Sequence, residues 1–239
     1  MDAARRERRH RLADALRREL APLAPPGLPL VTLRNGVDLA AFAPVDRAEA
    51  RAQLRWRSDR RVVLSVGHLI ARKGHDRLIA ALPHLPHDVD VKIVGDGEER
   101  GRLLAQAERI GAARRVELLG PFPHERLAVA YSAADALALL STREGWPNVL
   151  LESLACGTPV VATRVGGVAE VVREPAVGTL IDSVEPTAVA TALCELLERP
   201  RDRSQVRAYA ELHSWTATVD GMHALFERAL GRAPARGTP

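Results

Sequence analysis

From Arg61 onward, short aliphatic runs alternate with longer segments in which apolar residues recur at helical spacing. This alternation is typical of a parallel sheet whose strands are joined by crossover helices. The predicted strands cover residues 62–66, 89–94, 116–119, 136–140, 159–162 and 179–181. We therefore predict an α/β fold with one doubly wound parallel sheet of six strands.

The segments between the predicted strands have the apolar period of helices. Helices are predicted at residues 76–82, 98–110, 124–133, 149–155, 168–172 and 186–197, followed by two more at 204–212 and 217–230. Several strands end directly at a glycine, as at Gly67, Gly95 and Gly120. In open parallel sheets, ligands bind beyond the carboxyl ends of the strands. The search for a site therefore narrows to these loops.

The amino-terminal residues have a different pattern. Residues 1–20 carry seven arginines against four acidic residues, and Leu12, Leu16 and Leu20 form one apolar stripe at helical spacing. Two interpretations stay open: a surface helix whose stripe packs on a neighbouring element, or a helix that contacts a membrane surface. A proline-rich linker is predicted at 21–29, and a short strand at 31–33.

Composition adds limits on function. The chain has 239 residues, of which 46% are hydrophobic, so it can bury a sizeable core. The 34 basic residues include only two lysines, Lys73 and Lys92, and exceed the acids by a net charge of +4. The few aromatic residues are scattered, which disfavours nucleic-acid binding.

Cys156 and Cys194 match neither a disulfide framework nor a metal-ligand spacing. No run approaches the roughly 18 apolar residues of a membrane-spanning helix. We predict a cytoplasmic protein.

The loop after the first predicted strand combines a glycine turn with adjacent cations. Gly67 and His68 begin the loop, and Arg72 and Lys73 end it. Arginine forks onto phosphate oxygens and lysine adds a point charge, so the pair suits a diphosphate. A solvated surface pair is the alternative.

The segment Glu144 to Glu152 follows the fourth predicted strand and opens a helix. The backbone N–H groups at a helix start favour an anion. Two carboxylates beside such a start suit vicinal hydroxyls, such as those of a ribose and a sugar, because carboxylates accept hydrogen bonds. The alternative is that Glu152 pairs with a surface arginine and Glu144 is exposed.

These residues resemble the family 4 glycosyltransferases. Glu144 and Glu152 match the family's E-x7-E motif, which continues through residues 153–162. Residues 35–44 resemble the linker into the family's carboxy-terminal domain, and the Gly67, Lys73–Gly74 and Gly95 positions match in order and spacing. The resemblance covers roughly residues 12–230.

The resemblance implies one half of a GT-B architecture, a Rossmann-like domain that holds a UDP- or GDP-sugar donor. It implies that Lys73 binds the donor diphosphate, that Glu144 binds the transferred sugar and that Glu152 binds the ribose; Lys73 and Glu144 are the predicted catalytic residues. The other predicted donor-binding positions are Gly67, His68, Arg72, Gly95, Gly145, Trp146, Asn148 and Val149. His68 stands where the family has arginine, and Arg72 is close enough in sequence to supply the missing charge.

The family's chemistry is sugar transfer with retention to a glycan or lipid-linked acceptor, and neither a metal nor a cofactor is predicted. The predicted organisation is a remnant of the acceptor domain with its linker at 1–36, the nucleotide-sugar domain at 37–200, carboxy-terminal helices at 201–232 and a tail at 233–239. A full acceptor domain is missing, so a separate acceptor-domain partner is expected. The alternative function is a catalytically silent nucleotide-sugar-binding module.

Overall fold

The computed structural model describes residues 20–25, 28 and 30–230. It contains a six-stranded parallel sheet with the order β3-β2-β1-β4-β5-β6. The strands, in chain order, are β1 Arg61–Val66, β2 Val89–Val94, β3 Val116–Gly120, β4 Ala136–Leu139, β5 Val160–Thr163 and β6 Gly178–Ile181. Each end lies within one residue of its predicted position. The predicted α/β fold and doubly wound sheet are confirmed.

Helices cover both faces of this sheet. They are α1 Arg47–Leu54, α2 His75–Ala81, α3 Arg100–Arg109, α4 His124–Ala133, α5 Asn148–Ala155, α6 Val168–Val171, α7 Pro186–Glu198, α8 Arg203–Glu211 and α9 Thr216–Ala229. Short 3₁₀ turns occur at Ala21–Leu23, Ala71–Lys73, Leu82–His84 and Ala113–Arg115. The eight predicted helices are therefore present, with small shifts at their ends.

The strands are rich in aliphatic residues because helices bury both faces of the sheet. Along β1, Leu64 belongs to the core on one face and Val63 to the core on the other. Helices α4, α5 and α8 contribute to the first core, and α2, α3 and α7 contribute to the second. This two-sided burial explains why runs of aliphatic residues along the sequence were enough to predict the strand positions.

Helix α1 was not predicted. It begins after Asp46, whose side chain accepts hydrogen bonds from the backbone N–H groups of Ala48 and Glu49. An aspartate followed three residues later by a glutamate is a recognised helix-start signal. The helix ends at Arg55, which adopts a left-handed conformation.

The predicted strand at 31–33 is wrong. These residues do not join the sheet, whose edge strands are β3 and β6. The segment instead lies beside α9, where the Thr218 hydroxyl donates to the Arg34 carbonyl. A β-branched run alone therefore did not make a strand, because this segment packs beside α9 instead of pairing with either edge strand.

The order of the strands indicates where in the sheet a ligand site is expected. Consecutive strands diverge on either side of β1 and β4, which lie next to each other although they are far apart in the chain. The loops that follow β1 and β4 therefore leave a crevice between them at the carboxyl edge. Such a switch point is the expected ligand position in a doubly wound sheet.

Candidate functional site

The loops after β1 and β4 are tied together at the crevice. The Thr142 N–H donates to the Arg72 carbonyl at 2.9 Å, and the Arg72 guanidinium donates to the Arg143 carbonyl at 2.8 Å. Gly74 adopts a positive φ, and a Cβ there would lie 2.1 Å from the Leu140 carbonyl oxygen. The two loops therefore form one unit whose relative position is fixed by backbone contacts.

Lys73 and Glu144 meet within this unit. Lys73 Nζ lies 2.7 Å from Glu144 Oε1, and the Ser141 hydroxyl donates to the same oxygen at 2.6 Å. The Lys73 and Glu144 side chains are 15% and 7% exposed, so the pair is largely shielded from water. Arg72 lies beside it, with its guanidinium 4.0 Å from Glu144 Oε2. Glu144 is therefore buried, which rules out the exposed alternative.

This pair retains hydrogen-bonding capacity. A lysine ammonium carries three N–H donors, and Glu144 accepts one of them. The other two remain for an anion at the crevice, and Glu144 has further lone pairs for hydroxyl donors. The pair can therefore bind an anion on one side and a polyol on the other.

Two adjacent glycines support the Glu144 loop from the turn between β5 and α6. The Gly167 N–H donates to the Gly145 carbonyl at 3.1 Å. Gly166 has a φ of +50°, and a Cβ there would lie 1.8 Å from the Glu144 carbonyl oxygen. Sequence reasoning missed Gly166 and Gly167, although a glycine pair shortly after a strand is a turn signal.

The loop after β1 is held in a similar way. Gly95, which was predicted to contact the donor, packs against this loop: a Cβ at Gly95 would lie 1.9 Å from the Gly67 carbonyl oxygen. His68, which stands where the resembled family has arginine, is exposed. Its carbonyl lies 3.2 Å from Nε2 of the buried His75.

His75 is a site-supporting residue that sequence reasoning missed. Its Nδ1 lies 2.9 Å from the hydroxyl of Ser65, which is also buried. Burial lowers the pKa of His75, so the ring is neutral. Because a carbonyl only accepts, the hydrogen bond to His68 assigns the proton to Nε2. His75 therefore connects β1 to the loop that carries Lys73.

The start of α5 supplies the next group of predicted residues. Asn148 is the first helical residue, and its side chain lies 3.4 Å from that of Asn35. Its backbone N–H donates to the Trp146 carbonyl at 3.1 Å, so it is already engaged in this conformation. Val149 is half-buried and packs on the core.

Trp146 lies between this helix start and the amino-terminal segment. The Arg34 guanidinium lies 6.0 Å from the Trp146 ring centroid and 2.7 Å from the Glu170 carboxylate. The Trp146 indole N–H is buried and has no hydrogen-bond partner among the described residues. Trp146 is therefore packed into the turn, with its ring beside a cation.

Glu152 lies on the second turn of α5 and has a different partner from the one considered. The Tyr131 hydroxyl donates to Glu152 Oε2 at 2.8 Å. Burial raises the pKa of Glu152 and, more strongly, that of Tyr131. The alternative of a pairing between Glu152 and a surface arginine is therefore wrong.

Glu152 lines a cleft of about 280 Å³ together with Asp38, Phe42, His124 and Asn148. Because Tyr131 occupies one carboxylate oxygen, the other is available to hydroxyl groups in this cleft. Helix α5 thus begins beside the charged pair at Glu144 and carries Glu152 along its second turn. The site therefore has cationic N–H donors at one end and a carboxylate oxygen in a cleft at the other.

Within residues 20–25, 28 and 30–230, no group of three or more His, Cys, Asp or Glu side chains is arranged to hold a metal ion. In the same part of the chain, no helix is long and apolar enough to cross a membrane.

Solved structures share this fold closely. Sucrose-phosphate synthase from Thermosynechococcus elongatus superposes with a TM-score of 0.80 at 30% identity, covering 92% of this chain and 57% of that one. The Anabaena protein Alr3699/HepE, crystallised with UDP and glucose, gives 0.73 at 27% identity over 84% of this chain and 56% of its own. The fold and the crevice at β1 and β4 define a domain of the GT-B glycosyltransferase class.

The family follows from the sequence match. The chain belongs to the Glycosyl transferases group 1 family, whose profile matches residues 46–213. It is also similar to D-inositol 3-phosphate glycosyltransferase from Segniliparus rotundus, with 38% identity over 206 residues. That match covers 82% of this chain and 46% of the relative. The chain therefore spans about half the length of such relatives.

Proposed function

We propose that this chain is the donor-binding half of a retaining glycosyltransferase that uses a UDP-sugar. The observation that carries the proposal is the Lys73–Glu144 pair, buried at the switch point of the sheet and followed along α5 by Glu152. This arrangement matches the chemistry of a nucleotide-sugar, which has an anionic diphosphate between two groups rich in hydroxyls.

The proposed roles follow from the position of each side chain. Lys73 binds the diphosphate with the N–H donors that Glu144 does not use. Arg72 is exposed beside it and supplies a second cation, while His68 is exposed on the same loop as a third donor. Glu144 accepts from hydroxyls of the sugar, and Glu152 accepts from the ribose.

The proposed reaction needs no protein nucleophile. In transfer with retention by front-face attack, the leaving phosphate takes up negative charge and helps to deprotonate the acceptor hydroxyl. Fixed cations at that phosphate stabilise the charge as it develops. Lys73 and Arg72 would do this from a loop that is anchored to the loop after β4 and therefore needs little reorganisation. Glu144 is neutralised by Lys73 and serves to position the sugar.

UDP is the nucleotide to test first, because the similar Anabaena protein was crystallised with UDP and with UDP-glucose. GDP is the comparison. The acceptor is proposed to bind outside this domain, since the chain spans about half the length of its relatives. The name of those relatives makes D-inositol 3-phosphate a defined acceptor to assay beside glycan and lipid-linked acceptors.

A second candidate function is a silent nucleotide-sugar-binding module that acts with an acceptor-domain partner. The observation that favours it is that the site residues described above are all assigned to the nucleotide-sugar, and none of them to an acceptor. Calorimetric titration with UDP, GDP and their sugars tests both functions, and absence of binding to all of them would reject both. Transfer of sugar by this chain alone would then reject the silent module.

We also propose a cytoplasmic location, where nucleotide-sugars are available. Contact with the inner face of the membrane through the basic residues 1–20 remains a proposal of the same kind. Sedimentation with anionic vesicles, compared with neutral vesicles, tests it.

A further inference from the structure

A cavity of about 470 Å³ lies at the amino edge of the sheet. Three of its lining residues mark this position: Arg61 begins β1, Asp135 precedes β4 and Pro159 precedes β5. The candidate donor site lies beyond the carboxyl ends of the same sheet, and none of its proposed residues lines this cavity. Small-molecule pockets have volumes of roughly 300–1,000 Å³, so the cavity is large enough for a separate ligand.

The wall of this cavity carries an excess of positive charge. It contains four arginines and two aspartates, namely Arg47, Arg61, Arg201, Arg203, Asp46 and Asp135. Asp46 accepts hydrogen bonds from the first backbone N–H groups of α1. Asp135 accepts from the Arg47 guanidinium at 2.7 Å, and Arg61 pairs with Asp88, which does not line the cavity. Two of the four arginines, Arg47 and Arg61, therefore have carboxylate partners.

Arg203 has no carboxylate partner among the described residues. It donates to four neutral oxygens, the carbonyls of Ser132, Ala134 and Cys156 and the hydroxyl of Thr158. Burial lowers the pKa of Arg203, and the nearby charge of Arg47 lowers it further. A buried cation without a counter-charge is unfavourable, so this guanidinium favours an anion beside it.

Arg201 keeps most of its hydrogen-bond donors free within the described part of the chain. It lies between α7 and α8, and one guanidinium nitrogen donates to the Arg199 carbonyl at 3.1 Å. Its Nε is buried and has no hydrogen-bond partner in residues 20–25, 28 and 30–230. A buried N–H without an acceptor costs free energy. An oxyanion beside Arg201 would supply both an acceptor and a counter-charge.

We propose that this cavity binds a small phosphate monoester, with Arg201 and Arg203 contacting the phosphate. A phosphate monoester carries a charge of about −1.5 to −2 at neutral pH and three acceptor oxygens. It therefore matches the charge of two arginines that lack carboxylate partners, and guanidinium groups suit phosphate oxygens geometrically. A monocarboxylate would compensate only one of the two cations.

The rest of the cavity favours an ester over free phosphate. A water molecule takes about 30 Å³ of liquid volume, so the five heavy atoms of inorganic phosphate would fill only part of 470 Å³. Val45, Pro159 and Leu196 provide apolar wall for an organic group. The proposal does not depend on the proposed function, because the two sites lie at opposite edges of the sheet.

Isothermal titration of the full chain tests the site. The full chain is needed because residues 1–19, where the apolar stripe was predicted, and the tail at 233–239 lie outside the described part. The probes are glycerol 3-phosphate, glucose 6-phosphate, inorganic phosphate and succinate, at about 0.15 M salt, where weak surface attraction is screened. We expect at least one monoester to bind more tightly than inorganic phosphate and succinate. If neither monoester does so, the assignment to a phosphate monoester is overturned.

The variant Arg201→Gln removes the charge, and Arg199→Gln is the matched control. Arg199 is exposed, does not line the cavity and has no ion pair among the described residues. Arg201 donates one hydrogen bond, to a carbonyl two residues away, so its substitution should leave the fold intact. Arg201→Gln should weaken monoester binding at least about tenfold, and Arg199→Gln by no more than about twofold. Equal weakening by the two variants would overturn the proposal.

Amide NMR spectra of the ¹⁵N-labelled wild-type chain locate the bound probe without any substitution. Binding in the cavity should shift the backbone amide signals of Asp46, Asp135 and Arg201. The signals of Lys73 and Glu144 serve as the reference for the donor site. Shifts confined to Lys73, Glu144 and their neighbours would mean that the probes bind at the donor site, and the proposed second site would be rejected.

Discussion

Replacing Lys73 by alanine separates a role in donor binding from a role in folding. The matched control is Lys92→Ala. Both lysines have side chains that are 15% exposed, and both form ion pairs, at 2.7 Å to Glu144 and 2.6 Å to Glu117. Lys92 lies within β2, whereas Lys73 lies in the loop at the carboxyl edge. The two variants therefore differ mainly in position relative to the proposed diphosphate.

The two lysines pair with glutamates of different exposure, so the two substitutions should change the free energy of unfolding by different amounts. Glu144 is 7% exposed and would remain with the Ser141 hydroxyl and a distant Arg72, so Lys73→Ala leaves a nearly unpaired buried carboxylate. The expected loss of unfolding free energy is about 3 kcal/mol. Glu117 is 55% exposed, so the ion pair lost in Lys92→Ala is worth at most about 1 kcal/mol. Urea unfolding measures both.

The effect on donor binding is separate. A hydrogen bond to a charged group is worth about 1.5–3 kcal/mol, so Lys73→Ala should weaken UDP binding roughly 10- to 150-fold in isothermal titration. The charge of Glu144, no longer neutralised by Lys73, would add repulsion toward the diphosphate. Lys92→Ala should leave the dissociation constant within about a factor of two. Equal weakening by both variants would remove Lys73 from the donor site.

Four further predictions address other parts of the site. Glu144→Gln should keep or strengthen UDP binding, because Lys73 is released to the phosphate, but it should abolish the extra affinity of UDP-glucose over UDP; a preserved difference would contradict the sugar role. Glu152→Gln should reduce the preference for UDP over 2′-deoxy-UDP in competition titrations, because the carboxylate is proposed to accept from the ribose hydroxyls. Burial lowers the pKa of His75 from 6.5, so the unfolded chain takes up a proton that the folded chain does not, and stability should fall as the pH drops below about 6.5. The difference between wild type and His75→Gln in urea unfolding at pH 7.5 and 5.5 isolates this effect, since the opposite contribution of Glu152, whose pKa is raised, is common to both proteins. Gly166→Ala should weaken UDP-glucose binding or unfold the protein, because its Cβ would lie 1.8 Å from the Glu144 carbonyl oxygen at a φ of +50°, whereas Gly101→Ala, which meets nothing within 4 Å, should bind normally.

The sequence determined the layout of this protein because parallel strands buried on both faces are rich in aliphatic residues. The six strands were readable to within one residue, and each carboxyl end was marked by the loop that follows it. The candidate residues were also visible, since the glycine turn with Lys73 and the two glutamates are local patterns. The same local reasoning failed at 31–33, where the segment packs beside α9 instead of pairing with either edge strand.

Only the tertiary structure decided how the candidate residues interact. Lys73 and Glu144 are 71 positions apart and meet because β1 and β4 are neighbours in the sheet. Glu152 accepts from Tyr131 because α4 and α5 pack against the same face. The roles of His75 and Gly166 depend on contacts of a few ångströms between separate loops, which no local pattern encodes. The pattern of apolar residues along the chain reflects burial. Which charged groups pair depends instead on the order of the strands within the sheet.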